Sequence, residues 1–514
     1  MAESRASARE LVLLASVFAV AVAGLVYELI AGTLSTYLLG GSITVFSVVI
    51  GLFLSAMGLG AWLAQFVRTE LARAFIVAEL ALAAVGGGSA LILFAAFAWV
   101  GDGYPFVLAA LCITTGALVG VEIPLLLRIL EQRTDLRVAV SQVLALDYVG
   151  ALIGSVSFPL LLLPWLGLVR SSAFVGLLNV AVAALALVLL KEDVPRRGPL
   201  GVVAGGIGLL LAVVMATGAQ STTWLEDQLY EDAVVFAQDT PYQRVVLTRW
   251  RNDTRLYLDG HLQFSTQDEY RYHEALVHPA MLAARRAERV LILGGGDGLG
   301  VQRALLHPGV RRVDLVDLDP AITDLFTNHP TLSAVNGGAL SDPRVVVHHA
   351  DAVRFLELAT DRWDVILMDL PDPHDAGLAR LYAASTFKLA LRRLSEGGAL
   401  ATQATSPFHA PEAFWCIVTT LEHAAERSPR PWQVRPGVVE VPSFGTWGMV
   451  LVTSPGADFA RDRLAELPTR WLNEAALQQM WGLPADLERR EVEVNRLGSA
   501  RLASYYRTGW RRWQ

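Results

Sequence analysis

Cysteine is scarce in this chain: Cys112 and Cys416 are the only two in 514 residues. One lies in an apolar run and the other in a mixed segment, so a disulfide between them is not expected. Cysteine usage therefore says little about compartment. Charge is scarce as well, with charged residues at 18% against 53% hydrophobic and a mean hydropathy of +0.42. That scarcity is local. Up to about residue 219 the chain is almost uncharged between short basic connectors, and from Trp224 on it reads as an ordinary soluble α/β protein. A basic excess is missing too. The net charge of −7 argues against a nucleic-acid partner, which calls for a basic face, and it suits a cationic substrate. There is no Gly-Lys-Ser/Thr step, so a phosphate-cradling NTPase loop is not supported. No small-residue cleavage site ends a short apolar region near the N-terminus. The basic start and long apolar run there read as a first membrane helix and not as a removed signal peptide.

A helix that spans a bilayer needs roughly 20 apolar residues. Seven runs qualify: 11–32, 43–67, 74–100, 104–127, 141–163, 168–190 and 199–219. A soluble bundle would show polar faces at helical period; these runs are apolar all round. Region 1–220 is therefore expected to be a transmembrane domain of about seven helices in the cell membrane, with the lipid bilayer as its partner. Arg5, Arg9, Arg68, Arg73, Arg128, Arg133, Arg137, Lys191, Arg196 and Arg197 fall on one side of it, and only Arg170 falls in the short loops of the other. Basic connectors stay in the cytoplasm. With seven spans the C-terminal half would then lie outside, whereas a donor made in the cytoplasm would place it inside, and the sequence leaves the two expectations opposed. Glu28, Glu79, Glu122 and Asp147 sit within the runs, and ionisable residues there are candidates for a site or a pathway by default. Pairing with loop arginines or hydrogen bonding at the interface accounts for them equally. Gly86-Gly87-Gly88 reads as close helix packing.

The second half opens with short alternating runs at Ala233–Ala237, Gln243–Trp250, Thr254–Asp259 and Leu262–Ser265, punctuated by Asn252-Asp253 and Asp259-Gly260. Such a pattern predicts a small antiparallel β-domain over 224–286. From about 289 the chain alternates strand, turn and helix, with strands at Val290–Leu293, Arg312–Val316, Val345–His348, Val365–Met368 and Ala399–Gln403. The expected fold of 287–455 is a Rossmann-like, methyltransferase-type doubly wound parallel sheet. A helical tail, 456–514, follows. It is rich in Arg and Trp and reads either as a surface helix with packed tryptophans or as a segment lying against anionic lipid.

The glycine loop Gly294-Gly295-Gly296-Asp297-Gly298 lets the backbone approach a nucleotide. Asp317, about 20 residues on at a strand end, suits ribose hydroxyls. Asp297 is the informative departure. Like charges about 4 Å apart cost roughly 4 kcal/mol at an effective dielectric near 20, so this carboxylate disfavours a phosphate or a carboxylate and favours an amine. The loop thus prefers an adenosyl ligand with a cationic tail. His348 and His349 are adjacent on a strand and point to opposite faces, so no metal site is expected.

Several ordered stretches bear on identity together: Pro241-Tyr242-Gln243, the run from Leu256 to Ser265, Asp268-Glu269-Tyr270-Arg271-Tyr272-His273-Glu274, the glycine-Asp loop, Asp342-Pro343-Arg344, Asp351-Ala352 and Asp369-Leu370-Pro371-Asp372-Pro373. Over roughly 225–455 the chain resembles the spermidine synthase family of polyamine aminopropyltransferases, and with its preceding helices a membrane-bound bacterial branch of it. The resemblance implies transfer of the aminopropyl group of decarboxylated S-adenosylmethionine, a co-substrate and not a prosthetic group, to a diamine, putrescine by default. The products are spermidine and methylthioadenosine.

Roles follow by position. Asp369 is the implied catalytic residue, sharing the donor's amine with Asp297. Gln243, Gly294, Gly296, Asp317, Asp351 and Ala352 line the donor site, with Asp351 accepting from the adenine amino group. Gln263, Tyr272 (in preference to Tyr270), His273 and Asp372 line the acceptor site. A homo-oligomer is compatible with the family. Where many soluble members have Glu, Gly-Pro-Ala and Pro-Thr-Tyr, this chain has Asp317, His374-Asp375-Ala376-Gly377 and Pro442-Ser443-Phe444, so its acceptor pocket is expected to differ. Two other readings stay open: an S-adenosylmethionine-dependent methyltransferase, which Asp297 disfavours, and a polyamine transporter or sensor whose soluble domain binds without catalysing. For the last of these, the membrane acids are the motive.

Overall fold

A computed structural model describes residues 2–39, 43–132, 135–194, 196–227, 232–499 and 501–513. Arg133, one of the connector arginines, lies outside them. The chain divides into two compact units, Met1–Pro241 and Tyr242–Gln514.

The first unit is helical. Five segments are long and apolar enough to cross a membrane: Leu13–Thr36, Val45–Phe66, Tyr104–Glu131, Leu136–Leu189 and Arg197–Gly218. A sixth stretch, Leu71–Gly87 with Ser89–Val100, is bent by 44° at Gly88. The 54-residue segment would be about 80 Å long as one rod, more than twice the hydrocarbon thickness. It is broken at Gly167, whose φ of 69° and ψ of −179° are not helical. These six stretches overlap the seven runs marked by hydropathy, the 54-residue segment covering two of them. Helices approach closely where side chains vanish: a Cβ on Gly60 would come 2.0 Å from Ala117 O, and one on Gly120 equally close to Met57 O. Phe106, Trp165 and Val202 point outward and are more than three-quarters exposed. Glu79 and Glu122 are fully buried, and their carboxylate oxygens have no hydrogen-bond partner among the described residues.

Strand β1 (Ala233–Asp239) ends the first unit. The second begins with an antiparallel set, β2 (Arg244–Trp250), β3 (Asp253–Leu258) and β4 (His261–Ser265), with Val246 opposite Tyr257 and Leu256 opposite Phe264. The turn between β3 and β4 is Asp259-Gly260, both at positive φ, which matches the twist of a tight hairpin.

Five parallel strands follow: β5 (Arg289–Gly294), β6 (Arg312–Asp317), β7 (Val345–His349), β8 (Trp363–Asp369) and β9 (Leu394–Gln403). Two strands that the sequence reading left out, β10 (Gln433–Val441) and β11 (Gly445–Thr453), complete a mixed sheet ordered β10-β11-β9-β8-β5-β6-β7. Both β11 against β9 and β10 against β11 are antiparallel. Helices cover both faces, because each parallel connection must cross over the sheet. The central strands are apolar on both sides: Val290, Leu291, Ile292 and Leu293 are all fully buried. Chain order reverses between β5 and β8, and a doubly wound sheet opens its crevice at such a point, beyond the carboxyl ends of the strands.

Candidate active site

Register places the chemistry. Gly294 at the end of β5 is paired with Asp369 at the end of β8, so the glycine loop lies directly against the Asp369 backbone and side chain. A Cβ at Gly294 would fall 2.0 Å from Asp369 O, one at Gly295 2.9 Å from Asp369 Oδ2, and one at Gly296 2.6 Å from Asp317 Oδ2. Gly294 and Gly295 also hold φ of 79° and 68°, a region costly for any residue with a Cβ. The glycines thus make room for two carboxylates of the protein itself, in addition to any room they leave for a ligand.

A cavity of about 780 Å³ opens over this loop. Every site residue expected from the sequence lines it: Gln243, Gln263, Tyr272, His273, Gly294, Gly296, Asp297, Asp317, Asp351, Ala352, Asp369 and Asp372. Tyr270 does not line it, and lies under the Arg470 guanidinium at 3.8 Å. Eight lining residues are aspartates and one, Arg380, is an arginine. A cleft so biased concentrates cations.

At the centre, Tyr272 donates to Asp369 Oδ1 at 2.7 Å, and His273 Nε2 lies 3.8 Å from Asp369 Oδ2. Tyr272 and His273 sit on the helix Glu269–Ala283. One turn earlier, Glu269 meets His273 Nδ1 with its Oε2 at 3.0 Å and takes Arg303 on Oε1 at 2.8 Å. Burial alone would lower the His273 pKa. The hydrogen bond and charge of Glu269, with Asp297 and Asp369 nearby, outweigh it and raise the group to about 9, so His273 is cationic at neutral pH. Asp297 accepts from Leu299 N at 2.9 Å. Burial pushes its carboxyl up to about 6; the His273 charge opposes this and the Asp369 charge adds to it.

Asp317 is held by two amides, with Gly296 N on Oδ2 and Asp319 N on Oδ1, each at 2.9 Å. Gln243 Nε2 reaches Asp319 at 3.1 Å. Asp351 caps its helix through Arg354 N at 3.0 Å and is ion-paired with Arg380. Although burial pulls the other way, Arg380 holds its carboxyl below the usual range. Gln263 turns its amide onto His261 O at 3.0 Å. His261 and His374 stack at 4.6 Å. His348 and His349 have separate partners, Asp314 and Thr323.

Asp372 is the most elaborately held of the predicted set. Gln403 Nε2 donates to Oδ1 at 3.2 Å, and Tyr506 and Thr405 hydroxyls donate to Oδ2 at 3.0 and 3.5 Å. Burial still lifts its carboxyl to about 6 against these three donors. Gln403 also reaches Tyr382 Oη at 2.6 Å and Leu370 O at 2.8 Å.

Sequence reasoning assigned no role to Gln403, Thr405, Tyr382, Tyr506, Glu269 or Arg303. A polar residue closing an apolar strand, as Gln403 closes β9, was the one available signal. Tyr506 is 134 residues from Asp372, and no local pattern announces such a contact.

Comparison with known proteins accords with this geometry. Residues 269–461 match the family described as the spermine/spermidine synthase domain. The chain is 44% identical over 508 residues to polyamine aminopropyltransferase 2 of Ralstonia nicotianae, covering 97% of this chain and 98% of that one. It is 41% identical over 500 residues to the polyamine aminopropyltransferase of Leptospira interrogans, covering 97% and 98%. Among solved structures, the spermidine synthase from Thermotoga maritima aligns with a TM-score of 0.45 at 22% identity, covering 49% of this chain and 86% of that one.

Proposed function

The chain belongs to the polyamine aminopropyltransferases, and from that premise we propose that its cavity joins decarboxylated S-adenosylmethionine to a short diamine, with putrescine as the default acceptor. The observation that carries the reading is the convergence of Asp297, Asp369 and Asp372 on one cavity with a single arginine in its lining. Neither substrate carries a carboxylate or phosphate, and both carry ammonium groups.

The proposed division of labour follows the geometry. Asp317 holds the ribose hydroxyls through its free lone pairs, Asp351 and Ala352 flank the adenine, and Gln243 supports the donor end by way of Asp319. Asp297 holds the donor's aminopropyl ammonium. The acceptor's distal ammonium rests toward Asp372, beside Gln263. The near amine must be neutral to attack, and neutralising an alkyl ammonium of pKa about 10 at pH 7 costs roughly 4–5 kcal/mol. Asp369, oriented by Tyr272 and neighboured by His273, positions that nitrogen and takes its proton. The nitrogen lone pair forms a bond to the methylene carbon next to the sulfonium. The carbon–sulfur bond breaks with its electron pair returning to sulfur, which releases neutral methylthioadenosine. The product nitrogen is left as a secondary ammonium, which carries the positive charge that the sulfonium gave up, and the proton taken by Asp369 is released to solvent. Holding both reactants in line supplies much of the remaining acceleration.

The proposed organisation is a multi-pass cell-membrane domain over 1–220, a β-domain over 224–286, the catalytic sheet over 287–455 and a tail over 456–514. The outward apolar side chains of the first unit support a bilayer as its surroundings, because monomeric soluble proteins rarely expose large apolar patches. A homo-oligomer belongs to the same proposal.

The test is a mass-spectrometric assay of the detergent-solubilised full-length protein. It is given decarboxylated or intact S-adenosylmethionine with a panel of amines, alongside Asp369→Asn. An aminopropylated amine and methylthioadenosine from the decarboxylated donor only, lost in the variant, is the expected result. Methyl transfer from the intact donor, or no turnover with either, would overturn it.

A further inference from the structure

The helix Arg501–Trp510 of the C-terminal tail lies beyond residue 461, where the family match ends, yet it reaches the cavity. We propose that the helix Arg501–Trp510 completes the acceptor end of the site: Tyr506 positions Asp372, and Trp510 forms an end wall that limits the length of the amine admitted. The inference rests on the amine-accepting reading of the cavity given above.

The tail is built into the domain. Asn495 bonds Ala379 O through its side chain at 2.7 Å, and its carbonyl takes Ala384 N at 2.9 Å. Leu502, Ala503, Tyr506 and Gly509 then recur at helical spacing and are buried. Gly509 packs so closely that a Cβ there would lie 2.6 Å from Ala410 Cα. Arg507 reaches His374 O at 3.1 Å, tying the helix to the segment after Asp372. One face of the helix is thereby fixed against the sheet domain, and that face carries Tyr506 and Trp510, one turn apart, into the cavity lining.

Each of the two side chains has a distinct job. The Tyr506 hydroxyl donates to Asp372 Oδ2 at 3.0 Å, so it sets the carboxylate's orientation and favours its charged form over the protonated one. Trp510 is braced by His409, whose ring stacks on it at 4.5 Å with the planes 8° apart. Its Nε1–H is sealed from solvent and has no acceptor among the described residues, as is the case for Trp447, which also lines the cavity. With Phe444, 5.2 Å from Trp447, these rings form an apolar and π-rich lining suited to a methylene chain and its distal ammonium. Stacking on His409 holds the indole in place, and a fixed wall selects by length.

The experiment uses the full-length protein in detergent, with decarboxylated S-adenosylmethionine and three-, four- and five-carbon diamines plus spermidine as acceptors. Tyr506→Phe is expected to raise KM for the preferred diamine about tenfold or more, with most of the loss in KM and the donor KM unchanged. Trp510→Ala is expected to raise the kcat/KM ratio of longer to shorter amines at least about tenfold. Trp510→Phe, which replaces the indole with a smaller ring, should move the ratio in the same direction by less and serves if the alanine variant does not fold. An unchanged acceptor ratio in both Trp510 variants would overturn the wall, and an equal loss for every amine and for the donor would reduce the tail to a structural strap. Wild-type protein inactive with all acceptors would instead overturn the parent reading, which is a separate outcome.

Discussion

Asp297→Asn should make the protein more stable and less active at once. In the wild type the carboxyl is pushed from an ordinary 3.8 to about 6, chiefly by burial, with the Asp369 charge adding to it and the His273 charge opposing it. A carboxyl raised in the folded state destabilises that state wherever it is ionised. The cost is absent below about pH 3.8, grows through the interval to 6 and is complete above it. Its full size is about 3 kcal/mol, and about half of that applies at pH 5. Because the side chain still faces the cavity, 3 kcal/mol is an upper value. Asparagine keeps an oxygen for Leu299 N, which now sits 2.9 Å from Oδ1, and removes the charge. The assay is thermal and denaturant unfolding of full-length wild type and variant at pH 5 and pH 8, paired with turnover at pH 8. The variant should unfold several degrees higher at pH 8, with a smaller gain at pH 5. Its kcat/KM should fall about a hundredfold or more through the lost partner of the donor's ammonium. A variant less stable than wild type at pH 8, or a gain independent of pH, would refute the reasoning.

Three further outcomes follow from the same geometry. Removing the hydroxyl that holds Asp369, by Tyr272→Phe, should lower kcat about tenfold or more with little change in donor KM; an unchanged kcat would remove Tyr272 from the machinery. The kcat/KM for the amine should rise steeply between pH 5 and 7, because Asp297 and Asp372 lose protons near 6 while the free amine also deprotonates. A first-order limb set by the amine alone would show that the Asp372 charge does not serve the acceptor and that the Asp297 charge does not serve the donor. Arg380→Ala should raise the donor KM several-fold through the loss of the Asp351 ion pair and leave the amine KM alone, and equal effects on both would place Asp351 elsewhere than at the adenine.

Much of this protein can be read in one dimension, and the reason is local physics. Apolar runs of bilayer length, glycines around a carboxylate and strands ending in Asp317 and Asp369 are contiguous patterns, so the helices, the five parallel strands and the cavity's main acids were all visible. The β10–β11 pair was not, because its residues alternate little: Arg435, Pro436 and Gly437 read as a loop until β11, itself paired with β9, supplies a partner. The choice of Tyr272 over Tyr270 followed from motif position, whereas its physical ground is three-dimensional. Helical rotation turns Tyr272 toward Asp369 and leaves Tyr270 under Arg470.

By itself the sequence determined which residue types meet a cation and which segments prefer lipid to water, since charge and hydropathy belong to the chain. Only the tertiary structure decided which of those acids are held poised by neighbours. The Gly294–Asp369 register, the Tyr272–Asp369 bond and the tail's reach to Asp372 join residues far apart in the chain, and a contact of that kind has no signature until the backbone has folded.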